Sequence, residues 1–129
     1  MRRARPLRVL TVVNNLDVGG LERLVLSLTG AFDPDTNLIY WGTGNPGPDW
    51  NGDVRPGDNL YTNSVIAVDV RTGKLAWHFQ YTPNDSWDFD EVGVHMLYDI
   101  KIDGVVRKVV GHYARNGFYY TIDRTNGKF

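Results

Sequence analysis

The feature that most limits what this chain can fold into is a turn that occurs twice. Ala67-x-Asp69-x-x-Thr72-Gly73-x-x-x-Trp77 returns in part as Thr121-x-Asp123-x-x-Asn126-Gly127-x-Phe129. In each copy an apolar run ends on an aspartate whose carboxylate can accept turn N–H groups, with Thr72 adding a second cap in the first copy. A glycine four positions later can take the positive φ that closes the turn. The aromatic residue beyond it is placed to pack against a neighbouring unit. The two aspartates lie 54 residues apart, a period that suits one four-stranded propeller blade. The second copy reaches the last residue, so the sequence predicts a chain that ends inside a blade.

The surrounding pattern agrees. From about Leu28 onward helical periodicity is absent, and short runs alternate with Gly, Pro, Asn and Asp. Strands are predicted at 38–41, 64–69, 75–80, 96–102, 107–113 and 118–122. Residues 31–37 are read as a turn and 42–59 as a long loop. Asp103-Gly104 and Asn116-Gly117 carry the signature of two-residue hairpins. The fold class is mainly β, of the meander kind found in sandwiches, barrels and propellers.

The first thirty residues differ. Residues 7–13 read as a strand, 14–20 as a turn-rich loop holding Gly19-Gly20, and 21–28 as a short helix. Five arginines stand there against Asp17 and Glu22, a net of +3, while residues 31–129 carry a net of −4. Arg8-Val-Leu-Thr-Val-Val-Asn-Asn-Leu-Asp-Val-Gly-Gly-Leu-Glu-Arg23 resembles the opening strand, loop and helix of nucleotide-sugar glycosyltransferases, over about residues 7–27. The apolar run Val9–Val13 is too short for the core of a signal peptide.

Acidic residues cluster between the predicted β blocks. Asp85, Asp88, Asp90 and Glu91, with Asp99 just beyond, sit among Tyr81, Trp87 and Phe89. A carboxylate among rings is costly to bury unless it is paired or holds a cation, so this stretch is either a solvated loop or a metal and acid/base site. His78, His95 and His112 fall on or beside strands and read as ordinary packed or half-exposed histidines.

Composition sets the outer limits. The chain has 129 residues, enough for one domain, and no cysteine, which excludes disulfides and thiolate chemistry. A net charge of −1 gives no reason to expect nucleic-acid binding. No apolar run is long enough to span a membrane.

Five motifs in register make the reading specific. Gly42-Thr-Gly-Asn-Pro-Gly-Pro48, Arg55-Pro-Gly-Asp-Asn59, the turn ending in Trp77, Trp87-Asp-Phe-Asp90 and Ala114-Arg-Asn-Gly117 follow in that order. Together they resemble the quinoprotein alcohol dehydrogenases of the methanol and ethanol type, which depend on pyrroloquinoline quinone (PQQ). The resemblance runs over about residues 28–129. It implies about two blades of an eight-bladed propeller with tryptophan-docked blades, preceded by the short β-loop-α segment, residues 1–28, as a separate basic piece. It implies PQQ and Ca²⁺ or a lanthanide as cofactors, a primary alcohol as substrate, cytochrome c as electron acceptor and the periplasm as location. It also implies roles: Asn45, Asp88 and Asp90 toward the metal, Asp88 as general base, Arg115 and Asn116 toward the quinone, with Trp87 and Phe89 walling the pocket. The family's glutamate metal ligand, vicinal disulfide and cofactor-stacking tryptophan have no counterpart here; Ser27-Leu28 stands where the tryptophan is expected. The chain therefore reads as a fragment, inactive by itself and joined to its first segment as a chimera. The alternatives are a non-catalytic β-propeller interaction module and a truncated glycosyltransferase.

Overall fold

A computed structural model describes residues 31–129. The glycosyltransferase-like stretch, the Gly19-Gly20 loop and the proposed junction lie outside the described residues. Seven strands form two antiparallel sheets. The first has the order β1 (Ala31–Asp33), β2 (Leu38–Gly42), β3 (Ser64–Asp69) and β4 (Leu75–Gln80). The second has β5 (Met96–Ile102), β6 (Val105–Tyr113) and β7 (Tyr119–Asp123). A meander of four strands and one of three are the two blades that the repeat period implies.

Burial follows side-chain alternation where a strand faces the other sheet. Leu38 and Tyr40 on β2, Val65 and Ala67 on β3, Val110 on β6 and Ile122 on β7 form one core with Tyr81 and Ala114. Trp77, Phe79, Leu97 and Tyr120 close its margins. The core thus lies between the sheets and joins them.

The repeated turn is real at the level of single hydrogen bonds. Asp69 N–H donates to Lys74 O at 2.9 Å, and Asp123 N–H donates to Lys128 O at 2.8 Å. Gly73 and Gly127 N–H each return to their aspartate's carbonyl at 2.8 Å, with φ of 69° and 76°. Trp77 then reaches across. Its Nε1 donates to Arg124 O at 3.1 Å, and its ring covers Gly127, where an added Cβ would lie 2.7 Å from Cε3. Tyr40 Oη donates to the same carbonyl at 2.9 Å.

Two local expectations are corrected. Residues 31–37 are not all turn: Ala31–Asp33 pairs with β2, and the turn is confined to the residues between. It is built like the other two, with Asp33 accepting from Asp35 N and Thr36 Oγ1, and Asn37 at φ 57° where they have glycine. Asn116-Gly117 is not a two-residue hairpin. Only Gly117 takes a positive φ, 92°, and the loop spans 114–118, closed by Ala114 N–H to Phe118 O and Gly117 N–H to Ala114 O. Asp103-Gly104 does form the tight hairpin, with both φ positive.

Strand direction sorts the connections. The short turns at 34–37, 70–74, 103–104 and 124–127 lie at one end of the sheets. The three longer segments, 43–63, 81–95 and 114–118, all leave from the other. Every residue assigned a site role by resemblance falls on one of these three.

Candidate functional site

Asn45 sits in the loop after β2, Asp90 in the loop after β4, and Arg115 in the loop after β6. The fold brings them together. Asn45 N–H donates to Asp90 Oδ1 at 3.0 Å, and Arg115 Nη1 stands 3.6 Å from Asp90 Oδ2. Gly44 permits the first contact, since a Cβ there would lie 2.9 Å from Asp90 Oδ1.

Asp88 is presented separately. It is half-buried at φ 63°, in the left-handed region that aspartate tolerates better than most residues. The cause is Asp85, which is fully buried. Its carboxylate accepts Trp87 N–H at 2.8 Å and Phe89 N–H at 2.7 Å, the amides on either side of Asp88, while Asn63 Nδ2 donates to it at 2.7 Å. The rings of Trp87 and Phe89 stack at 5.9 Å. Arg55 ties this segment to the β2–β3 loop through Asp85 O, Pro48 O and Asp49 O.

The donor set suits a hard cation. Asn45 spends its Nδ2 on Asp49 Oδ1 at 2.8 Å, leaving its amide oxygen without a hydrogen bond among the described residues. Asp88 makes none there either, and Asp90 keeps its second oxygen facing only Arg115. Amide and carboxylate oxygens are the ligands Ca²⁺ and similar ions take, six to eight at a time. Among the described residues no three His, Cys, Asp or Glu side chains gather to hold a metal.

Comparison with known proteins decides the family. Residues 28–129 match the model described as PQQ: glucose/ethanol/alcohol dehydrogenase, beta-propeller domain. The chain belongs to this family. It is 52% identical to the quinoprotein alcohol dehydrogenase PedH of Pseudomonas putida over 102 residues, which are 79% of this chain and 17% of that protein. It is 51% identical to subunit 1 of the methanol dehydrogenase [cytochrome c] of Methylorubrum extorquens over 98 residues, 75% of this chain and 16% of the relative. A europium-containing methanol dehydrogenase structure matches with a TM-score of 0.72 at 40% identity, covering 76% of this chain and 17% of that one. The chain thus spans about a sixth of the length of its curated relatives.

Within this PQQ dehydrogenase segment Asn116 is largely committed to the fold. Its Nδ2 donates to Tyr120 Oη at 2.9 Å and to Tyr81 O and Thr82 Oγ1 at 3.2 Å, and its Oδ1 accepts Phe118 N–H. One lone pair of that oxygen is left for anything else.

The acidic stretch divides in a way the sequence did not show. Asp85 and Glu91 are fully buried, while Asp88 and Asp90 are half-exposed. Glu91 accepts Arg115 N–H with Oε1 and Oε2 at 3.1 and 3.2 Å, and its Oε2 lies 2.8 Å from His112 Nε2. His112 Nδ1 donates to Val94 O at 3.1 Å. His112 and His95 stack face to face, with centroids 4.1 Å apart and planes within 1°. His95 and His112 are packed and His78 is half-exposed, as expected, but His112 also anchors a buried carboxylate.

His95 donates from Nδ1 to Gly93 O at 2.9 Å and lies 3.0 Å from Tyr81 Oη through Nε2, an arrangement that suits the neutral ring. Burial, reinforced by His112, pushes its pKa down from 6.5 to about 4. The unfolded chain therefore binds the proton first as pH falls. Stability is expected to hold above pH 6.5 and to drop toward pH 4, by roughly 3 kcal/mol at most. Urea titrations across this range should show the slope in the parent and a flatter one in His95→Gln.

Proposed function

We propose that this chain carries the metal- and quinone-facing segment of a PQQ-dependent alcohol dehydrogenase. The reaction is oxidation of a primary alcohol to its aldehyde, with electrons passed to cytochrome c in the periplasm. Residues 29–129 form the propeller part, and residues 1–28 are a separate basic piece. The observation that supports this best is the meeting of Asn45, Asp90 and Arg115 from three different loops at one end of two blades.

Each residue has a definite task in this reading. Asn45 offers its amide oxygen to the cation, and Asp88 and Asp90 offer carboxylates. A trivalent lanthanide, more than Ca²⁺, favours the extra charge of Asp90. Asp88 takes the proton of the alcohol hydroxyl as general base. Arg115 presents a planar, permanently charged fork to adjacent quinone oxygens, and Asp90 limits its swing. Asn116 steadies the Arg115 loop from below, with one lone pair toward the cofactor. Bound PQQ supplies the hydride acceptor, and the bound cation polarises its carbonyl.

Binding tests the reading without requiring turnover. PQQ with La³⁺ or Ca²⁺ is expected to quench tryptophan fluorescence of the chain saturably. Arg115→Ala is expected to weaken that binding about tenfold or more, the loss of a charge-assisted pair. No saturable quenching by either metal form would sink the proposal.

A further inference from the structure

We infer that Glu91 and His112 are positioning residues: their buried pair sets where Arg115 stands relative to Asp90 and Asn45. The inference rests on the role given to Arg115 above. It begins from a cost. A carboxylate without solvent contact is expensive unless every oxygen is used, and Glu91 is fully buried. An apolar residue of similar size would fill the same space, so packing does not explain the acid.

What the acid does is tie its own loop to β6 and the turn that follows it, while its backbone ties the loop to the β2–β3 connection. Its side chain accepts the Arg115 amide with both oxygens and meets His112 Nε2 on β6. Its own N–H donates to Thr43 O at 3.2 Å, two residues before Asn45. His112 is fixed in turn by Val94 O and by the His95 ring stacked on it. Gly42 leaves no room for drift, because a Cβ there would overlap the Glu91 carbonyl oxygen.

Sequence adjacency gives the arrangement its point. Asp90 faces the Arg115 guanidinium at 3.6 Å, and Glu91, the next residue, holds the Arg115 backbone N–H. One short peptide grips the same arginine at both ends. The head is exposed and faces Asp90 loosely, so the backbone hold by Glu91 and His112 is what fixes where the arginine starts from.

The test uses the whole chain and reads the arginine directly. Glu91→Met keeps the volume and removes the acceptor; Glu91→Gln keeps one acceptor oxygen. Asp85→Asn alters an equally buried carboxylate that does not touch Arg115. Amide exchange by NMR is expected to be about tenfold faster at Arg115 in Glu91→Met, largely restored in Glu91→Gln, and unchanged there in Asp85→Asn. Affinity for PQQ with La³⁺ should fall about tenfold in Glu91→Met in parallel. Unchanged Arg115 exchange in Glu91→Met, or the same change in Asp85→Asn, overturns the inference. If Glu91→Met does not fold, His112→Phe is read in the same way, with faster Arg115 exchange again the expected result. A parent chain that binds no PQQ rejects the proposed function, while the exchange comparison still decides whether the clamp exists.

Discussion

Arg124→Met is expected to cost about 3–5 kcal/mol, a large part of what a domain of this size has. Arg124 Nε donates to Asp33 Oδ2 at 2.8 Å, and both residues are buried. Its Nη1 donates to Asp99 Oδ1 at 2.7 Å and to Tyr98 O at 2.9 Å. Burial pushes the Asp33 carboxyl up, but Arg124, Thr36 and the Asp35 amide outweigh it and hold it below the usual value. Removing Arg124 leaves a carboxylate enclosed without its cation. Two measurements separate this from simple loss of packing. The deficit in urea midpoint should shrink toward acid pH, as Asp33 becomes protonated. The double variant Asp33→Asn/Arg124→Met should recover more than half of the loss, because no uncompensated charge remains.

Trp77→Ala is expected to cost about 3 kcal/mol, at the low end for a large aromatic because the ring is only half-buried. The indole loses its face on Gly127, its hydrogen bond to Arg124 O and its contact with the Tyr40 ring 5.5 Å away. Alanine cannot be refilled by neighbours, since the opposing surface is backbone. Gly127→Ala attacks the same contact from the other side and adds the strain of a φ of 76°. Because the Trp77 ring lies directly on Gly127, the double variant Trp77→Ala/Gly127→Ala should depart from additivity by at least ~0.5 kcal/mol. Strict additivity in chemical denaturation would mean that the joint is not one unit.

Much of this architecture was legible because its signals are local. β3, β4 and β5 fall where apolar runs meet turn residues, and the paired Asp–Gly turns gave the blade period directly. β1 was missed because three residues before Pro34 are too few to show a period. The loop at 114–118 was misread because the Asn116 side chain is claimed by Tyr81, Thr82 and Tyr120, which no dipeptide rule includes. The acidic stretch shows the same boundary more sharply. Asp85 and Glu91 look like Asp88 and Asp90 in sequence, yet their partners Asn63 and His112 lie 22 and 21 residues away. Residue type and spacing gave a cluster of carboxylates. The likeness to a known family gave roles to Asn45, Asp88, Asp90 and Arg115, but not that Asp90 is the carboxylate that meets Asn45 and Arg115. Neither gave the second grip on the arginine, for which the signal would have been a histidine on β6 facing a glutamate next to a site residue.

The socket that receives Trp77 has a further consequence. It consists of one bare peptide face and one main-chain oxygen, features that depend little on which amino acids surround them. A unit built this way does not need to know its neighbour's identity, only that the neighbour ends in the same shape. Genetic duplication or exchange of such tiles can then lengthen or vary a ring without redesigning each joint, leaving chemistry free to diverge in the loops at the far rim.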